Sequence, residues 1–325
     1  MKTRRLSAFT LVELLASMAI LAVILFVIFG VIQLTSRAWK STRGKVEAFQ
    51  GARAAFDSIT QNLEQATLNT YYDYYDKNGD RRTPANSATF VPATYGRYSD
   101  LHFISGKSLV PGQVGHAIFF QTPAGYSDQS KYQEMPTLLN ACGYFVEFGK
   151  DRSRPTFLDS LTPSPPERYR YRLMQVLQPS QQLSVYASAT GSTWLPDVSA
   201  TATAPPRPLA ENVIALVMLP LPPEQDGSAP LAPLYEYDSR SGTQATTLNQ
   251  LPPLVEVIMV VIEETTAKQL EQGSTAPDFG VGDLFKTADQ LDANLAHLEG
   301  TLNDRRIPYR VFRKTVALRN AKWSS

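Results

Sequence analysis

The sequence has few of the residues from which cross-links and active sites are most often built. It contains a single cysteine, Cys142, and three histidines among 325 residues. One cysteine excludes an intramolecular disulfide and a cysteine-based zinc site. His102, His116 and His297 lie far apart in the chain, with no His-Glu-x-x-His or His-x-His spacing. We therefore expect surface or core histidines with satisfied rings rather than metal ligands.

The chain also lacks a charge excess, since 31 basic residues stand against 30 acidic ones. This balance argues against a dedicated nucleic-acid-binding protein. No glycine-rich phosphate loop or paired-carboxylate motif is present, and the surroundings of Cys142 match no nucleophile motif. Cys142 is predicted to be a small buried strand residue, and the sequence does not indicate an enzyme.

Proline is missing from the first 83 residues, although 23 prolines follow from Pro84 onward. A segment without proline permits one long helix. Phe9 to Ile32 is almost wholly apolar, and as a helix it would extend about 36 Å, enough to cross a membrane. Its basic flank places the N-terminus in the cytoplasm; the flanking charges are Lys2, Arg4 and Arg5. A signal peptide would have a shorter apolar run, and an ordinary membrane anchor is the stronger alternative.

The helical pattern continues beyond the apolar segment as a single stripe of apolar residues. The stripe recurs at spacings of three and four residues, as on an amphipathic helix. Its members are Phe49, Ala52, Phe56, Ile59, Leu63 and Ala66. We predict one helix from about Phe9 to about Leu68, with its second half packed against a globular domain.

From Tyr71 the sequence predicts a β-rich domain, which makes the fold class α+β. The predicted strands are Leu101–Gly106, His116–Gln121, Gly143–Gly149, Arg168–Leu177, Asn212–Leu219, Leu254–Glu264 and Tyr309–Leu318. Arginine and tyrosine alternate at the start of Arg168–Leu177, which predicts a strand with one solvated face. The continuously apolar runs Asn212–Leu219 and Leu254–Glu264 are predicted to be central strands. Three Pro-rich segments are expected as surface loops: 160–167, 190–208 and 220–233.

The segment SAFTLVELLASMAI, from Ser7 to Ile20, resembles the class III signal of type IV pilins and type II secretion pseudopilins. The resemblance implies cleavage between Ala8 and Phe9 by a prepilin peptidase, followed by methylation of the new Phe9 amine. Glu13 would then be the fifth residue of the mature chain. The family usually has glycine before the cut, where this chain has Ala8.

Glu13 has a physical role in this resemblance. A carboxylate inside an apolar slab costs at least ~2.5 kcal/mol unless it is paired. Cleavage creates a positive amine on Phe9, one helical turn away, which can neutralise Glu13 in the same chain or in a neighbouring subunit. The alternative is a polar residue tolerated near the membrane edge.

The downstream region resembles, more loosely, the J-type minor pseudopilins and the pilin-like Verru_Chthon cassette protein C. The segments SDLHFISG, GHAIFFQTPAGY and LNACGYFVEFG carry the second resemblance. Together they imply a leader at 1–8, a transmembrane half-helix at 9–34, a soluble half-helix at 35–70 and a β-rich, periplasmic or extracellular domain at 71–325. The implied partners are the prepilin peptidase, other pilin or pseudopilin subunits and the inner membrane.

The function implied is that of a minor subunit assembled into a pilus or pseudopilus for protein secretion. The alternative is a surface-displayed adhesion subunit, in which the loops Thr190–Pro208 and Asp238–Asn249 would contact a ligand. An anchored enzyme with an unrecognised site is a third hypothesis.

One further motif lies in the run Asp73 to Arg82. Asp76, Asn78 and Asp80 alternate as in the first part of a calcium loop, which needs oxygen ligands. Gly79 precedes Asp80 instead of following it, so a solvated Asn78-Gly79 turn is the competing interpretation. Apart from this calcium loop, the sequence predicts no cofactor site. The tyrosines at 71, 72, 74 and 75 are expected to cover the foot of the long helix, or else to form an interaction patch.

Overall fold

The computed structural model describes residues 11–151, 154–187, 194–195, 205–223, 231–241, 247–270 and 273–323. The chain forms two compact units, Met1–Glu47 and Ala48–Ser325. Mixed helix and sheet content places it in the α+β class, with an apolar N-terminal helix and a β-rich globular part.

The first element is the long helix α1, Leu11–Glu64. The absence of proline lets its hydrogen-bond ladder continue without a break. It ends in a tighter turn, in which the amides of Gln65 and Ala66 bond to carbonyls three residues earlier. Thr67 then pairs with Gln121 in an isolated bridge, so the chain enters the β-rich part directly after α1.

The apolar stripe on the last turns of α1 is buried, as its spacing predicts. Of the predicted members, Ala52, Phe56, Ile59, Leu63 and Ala66 are buried and Phe49 is half-buried; Ala55 is buried beside them. Asn62 Nδ2 donates to the Tyr144 hydroxyl at 2.7 Å, and the rings of Phe56 and Phe312 lie 5.6 Å apart. The last turns of α1 therefore contact two different β-sheets, described next.

The described residues form eleven strands and two further α-helices. The strands are β1 Tyr71–Tyr75, β2 Thr94–Tyr98, β3 Ile104–Gly106, β4 Gln113–Thr122, β5 Asn140–Lys150, β6 Tyr169–Gln178, β7 Arg207–Glu211, β8 Val213–Leu221, β9 Tyr237–Asp238, β10 Leu254–Ile262 and β11 Tyr309–Ala317. The helices are α2 Glu264–Leu270 and α3 Leu291–Asp304.

These strands build two main sheets and a separate hairpin. The larger sheet has the order β7-β6-β5-β4-β3-β9, the smaller one β11-β10-β8, and β1 and β2 form a two-stranded sheet. Every neighbouring pair is antiparallel. Such sheets are built from hairpins and longer connections, which agrees with the proline-rich segments between the predicted strands.

One glycine is needed for the packing of the larger sheet. Gly143 on β5 lies opposite Phe119 on β4. A Cβ added to Gly143 would lie 2.2 Å from the Phe119 ring, which is far inside van der Waals contact. The ring therefore occupies the space that a side chain at position 143 would need.

Three sequence-based expectations are wrong in detail. β6 has no solvated face at its start, because Arg170 and Arg172 are buried. β10 is a central strand as predicted, whereas β8 lies at one side of its sheet although it is buried along almost its whole length. Tyr72 and Tyr74 do not cover the foot of α1, since they are more than half exposed and stack with Tyr95 on the hairpin.

Candidate functional site: the exposed apolar stretch of the first helix

The most distinctive surface of the described chain is the apolar stretch Leu14–Gln33 of α1. Its 20 residues have a mean hydropathy of 3.0, and none of the stretch is buried by the rest of the protein. At a rise of about 1.5 Å per residue the stretch is about 30 Å long, the thickness of a hydrocarbon core. Length and composition therefore qualify it as a membrane span, a test that a signal sequence near the N-terminus also passes.

Exposed apolar side chains cover every side of this stretch. Phe26 is 82% exposed, Val23 64% and Phe29 63%. A soluble monomer rarely leaves so large a continuous apolar surface in water. The stretch therefore requires lipid or other apolar chains around it.

The hydroxyl groups of Ser17 and Thr35, within and just after the apolar stretch, bond within the helix itself. Ser17 Oγ donates to the Leu14 carbonyl at 2.8 Å, and Thr35 Oγ1 donates to the Val31 carbonyl at 2.9 Å. An unpaired polar group in hydrocarbon costs several kcal/mol. These local bonds remove that cost without any partner from outside the helix.

The residues predicted for processing fall at the edge of the described structure. Lys2, Arg4, Arg5, Ala8 and Phe9 lie outside the described residues, so cleavage and methylation stay predictions. The backbone at Glu13 is helical; its side chain lies outside the described part.

In the Asp76 loop, the carboxylate of Asp76 closes the turn. Its Oδ1 accepts hydrogen bonds from the amides of Asn78 and Asp80 at 2.8 and 2.9 Å. The bond from the Asp80 amide is the main reason that the pKa of Asp76 lies below its ordinary value. Asn78 and Gly79 lie in this turn, and Gly79 has a positive φ of 84°. Calcium binding by Asp76, Asn78 and Asp80 stays a prediction.

His102 is a buried histidine with both ring nitrogens engaged. Trp194 Nε1 donates to its Nδ1 at 2.6 Å, and its Nε2 lies 2.6 Å from Asp238 Oδ1. Because an indole nitrogen can only donate, Nδ1 is the acceptor and Nε2 carries the proton of the neutral ring. Burial lowers the pKa of His102, although Asp238 acts in the opposite direction. His102 is thus a structural link between Trp194 and β9.

His116 and Cys142 are also buried in the packed interior, whereas His297 lies at the surface. His116 Nδ1 accepts from the Met218 amide of β8 at 3.3 Å, and burial lowers its pKa to about 3. His297 is exposed on α3. Cys142 is fully buried in β5, where burial raises the pKa of its thiol to about 11. A thiol of that pKa is a poor nucleophile near neutral pH.

No local sequence pattern indicates the ion-pair cluster around the buried Arg170. Arg170 contacts Glu211 Oε2 at 2.6 Å and both carboxylate oxygens of Glu264, at 2.7 and 2.9 Å. Asn212 adds a bond to Glu264 at 2.8 Å. Burial alone would raise the pKa of Glu264, but the bonds from Arg170 and Asn212 lower it below its ordinary value. The cluster joins β6 of the larger sheet to the start of α2, which follows β10 of the smaller sheet.

The remaining acids and histidines do not form a metal centre in the part of the chain that the structure describes, where no group of three or more His, Cys, Asp or Glu is suitably arranged. The apolar stretch of α1 is therefore the feature that most constrains the function. No protein-family model matches the chain, and no curated protein matches it either.

Proposed function

We propose that this chain is a minor pilin-like or pseudopilin-like subunit, held in the inner membrane by α1 until it is assembled into a filament. One observation carries the proposal: a single helix, Leu11–Glu64, is fully exposed and apolar over a membrane length and buried on one stripe at its other end. A helix of this kind needs two different surroundings. The pilin-like signal at Ser7–Ile20 suggests that lipid and then other subunits provide the first of them.

The mechanism proposed is ordered subunit packing. Cleavage after Ala8 would free the Phe9 amine, and its positive charge would pair with Glu13 of the same or a neighbouring subunit. Because each unpaired carboxylate in lipid costs at least ~2.5 kcal/mol, the pairing favours a defined helix register. The apolar surface of Leu14–Gln33 would then be covered by the equivalent helices of its neighbours. The β-rich unit would remain in the periplasm or outside the cell.

The processing step is tested by mass spectrometry of the N-terminus of the protein purified from its host membranes. We expect a chain that begins at a methylated Phe9. Ala8→Gly, which restores the residue usual in the family, should be processed at least as fully. An intact Met1 in the wild-type protein would contradict the proposal.

The assembly step is tested by comparing Glu13→Leu with Glu13→Asp in sheared filament fractions. The aspartate variant keeps the charge and should retain part of the assembly, whereas the leucine variant should be processed but lost from filaments. Normal assembly of Glu13→Leu would remove the proposed role of the carboxylate. Loss of adhesion with intact secretion in a deletion strain would instead favour the surface-displayed binding subunit.

A further inference from the structure

The strand β11 forms an open edge of the smaller sheet. It pairs with β10 along its whole length, and no strand of the described residues lies on its other side. Within the described residues, no other backbone or side-chain group bonds to the backbone of residues 309–317. Five of its nine residues are exposed: Arg310, Arg313, Lys314, Thr315 and Ala317.

The register shows which backbone groups point outward. Glu263 N donates to the Pro308 carbonyl, and Leu318 N donates to the Pro253 carbonyl. Both pairs continue the register of β10 with β11. Because hydrogen-bonded pairs alternate along an antiparallel ladder, the even-numbered residues 310 to 316 bond to β10. The amides and carbonyls of Tyr309, Val311, Arg313, Thr315 and Ala317 therefore point away from the sheet.

The other edges of the two main sheets are either partly engaged or short, so they are less suited to pairing with a further strand. The outer side of β8 is engaged at Met218, whose amide bonds to His116. β7 has five residues and β9 has two. Natural sheets usually shorten, cover or charge their edges to prevent unwanted pairing. β11 is long and uncovered, and it is protected by charge alone.

The charged residues of the segment that contains β11 are all basic. From Arg305 to the last residue the sequence contains seven basic residues and no acidic one: Arg305, Arg306, Arg310, Arg313, Lys314, Arg319 and Lys322. Arg313 is paired with Glu256 and Asp292. Arg310 and Lys314 lie on the same face of β11, and no acidic side chain of the described residues pairs with either. Arg310 lies 5.3 Å from the centre of the Phe49 ring instead.

We propose that β11 is a docking edge for an acidic, extended segment of another polypeptide, which adds to the smaller sheet as a further strand. The outward amides and carbonyls would supply the backbone bonds, as in known strand-addition complexes. Carboxylates at alternate positions of the incoming strand would lie opposite Arg310 and Lys314, within cross-strand distance. Pairing of β11 with a second copy of itself is disfavoured, because like charges would then face each other. The inference does not depend on the proposed role in a filament.

The backbone part of the proposal is tested on the full chain in a nonionic detergent. The probe is a fluorescein-labelled decapeptide of alternating threonine and glutamate, and binding is measured by fluorescence anisotropy at low salt. Thr315→Pro removes one outward amide without removing a bond to β10, so it should weaken binding about tenfold or more. Thr315→Ala keeps the amide and should bind like the wild type. A peptide N-methylated at alternate residues should bind at least tenfold more weakly to the unaltered protein.

The contribution of charge is tested by reversing the charges of two β11 side chains and of the peptide. Arg310→Glu combined with Lys314→Glu should lose the glutamate peptide and bind the matching threonine-lysine peptide. Arg82→Glu combined with Lys131→Glu changes the net charge equally at exposed positions outside β11, and it should leave the preference unchanged. Equal binding of the N-methylated and unmethylated peptides would overturn the proposal, since attraction of charges alone would then suffice. Binding to anionic lipid vesicles but not to the glutamate peptide would overturn it as well.

Discussion

The two ends of α1 carry apolar side chains in different patterns, and the patterns correspond to different surroundings. Residues 14–33 are apolar on all sides and fully exposed in the described protein. Near the other end, Phe56, Ile59 and Leu63 follow each other at spacings of three and four and are at most 5% exposed. An all-round apolar surface needs a solvent of lipid or helices, whereas a stripe needs only one protein surface. One helix can therefore have one end in an apolar environment and its other end packed against a folded protein surface.

The largest effect on this difference between the two ends of α1 is expected from charges placed within residues 14–33. Leu21→Arg combined with Leu25→Arg places two cations in the middle of the stretch, at about 2.5–3.5 kcal/mol each. We expect the double variant to leave the membrane fraction in alkaline extraction, while the β-rich unit keeps its unfolding transition. Leu21→Ala with Leu25→Ala is the matched control and should stay in the membrane. Equal retention of both variants would contradict the assignment of a membrane span.

Arg170→Met removes a charge that is buried within the unit Ala48–Ser325. It leaves Glu264 and Glu211 without their main cation, and the loss of one partner of a buried pair typically costs about 3–5 kcal/mol of unfolding free energy. Denaturant unfolding of the full chain in detergent would measure it. Arg168→Met, which alters a more exposed arginine beside the same Glu211, should cost about 1 kcal/mol or less. Similar effects of the two variants would mean that burial does not set the value of the pair.

Ile59→Ala sharpens the comparison within α1 itself. Ile59 is completely buried, so the cavity should reduce the free energy of unfolding by about 2–5 kcal/mol. Membrane extraction should be unchanged, because the substitution lies outside the apolar stretch. Gln61→Ala, at an exposed position two residues away, should have little effect on either measurement. A shift of Ile59→Ala out of the membrane fraction would show that the two regions are not independent.

The smallest expected effect is a loss of unfolding free energy at acid pH. Burial lowers the pKa of His116 from its ordinary 6.5 to about 3, so the unfolded chain takes up the proton first. The folded state therefore has its full stability above about pH 6.5 and loses it as the pH falls toward 3. Between about pH 7 and about pH 4 this histidine should account for a loss of about 3 kcal/mol. His116→Gln should flatten that slope and His297→Gln, at an exposed site, should not; an unchanged slope in His116→Gln would refute the assignment.

The parts of the fold that the sequence predicted depend on local periodicity. The stripe on α1 and the apolar runs of β5 and β10 carry their burial pattern in neighbouring residues, so spacing alone identifies them. The alternation of arginine and tyrosine in β6 has the same period as a half-solvated strand, and it led to the wrong environment for Arg170. The compensating acids, Glu211 and Glu264, lie 41 and 94 residues further along the chain. No local pattern contains that information.

The candidate site likewise has one part that follows from the local sequence and another part that does not. The membrane length of residues 14–33 follows from composition, whereas cleavage at Ala8 and the role of Glu13 rest on resemblance and stay predictions. Trp194 shows the limit of composition most directly. It lies in a segment that its prolines mark as a surface loop, yet its ring is 1% exposed and bonded to His102. The hydrogen bond to the buried His102, 92 residues earlier in the chain, holds Trp194 in this position.

The contact between the last turns of α1 and the end of the chain has a consequence for how folding can proceed. Phe56 packs on Phe312, and Arg319 bonds to Glu64 both through its amide and through its guanidinium. These contacts close a loop of 255 residues, so the buried stripe of α1 cannot obtain its full cover until Arg319 has been synthesised. Contacts of such sequence separation slow folding. During that interval the stripe on α1 lacks its cover, and such uncovered apolar surface makes a chain prone to aggregation.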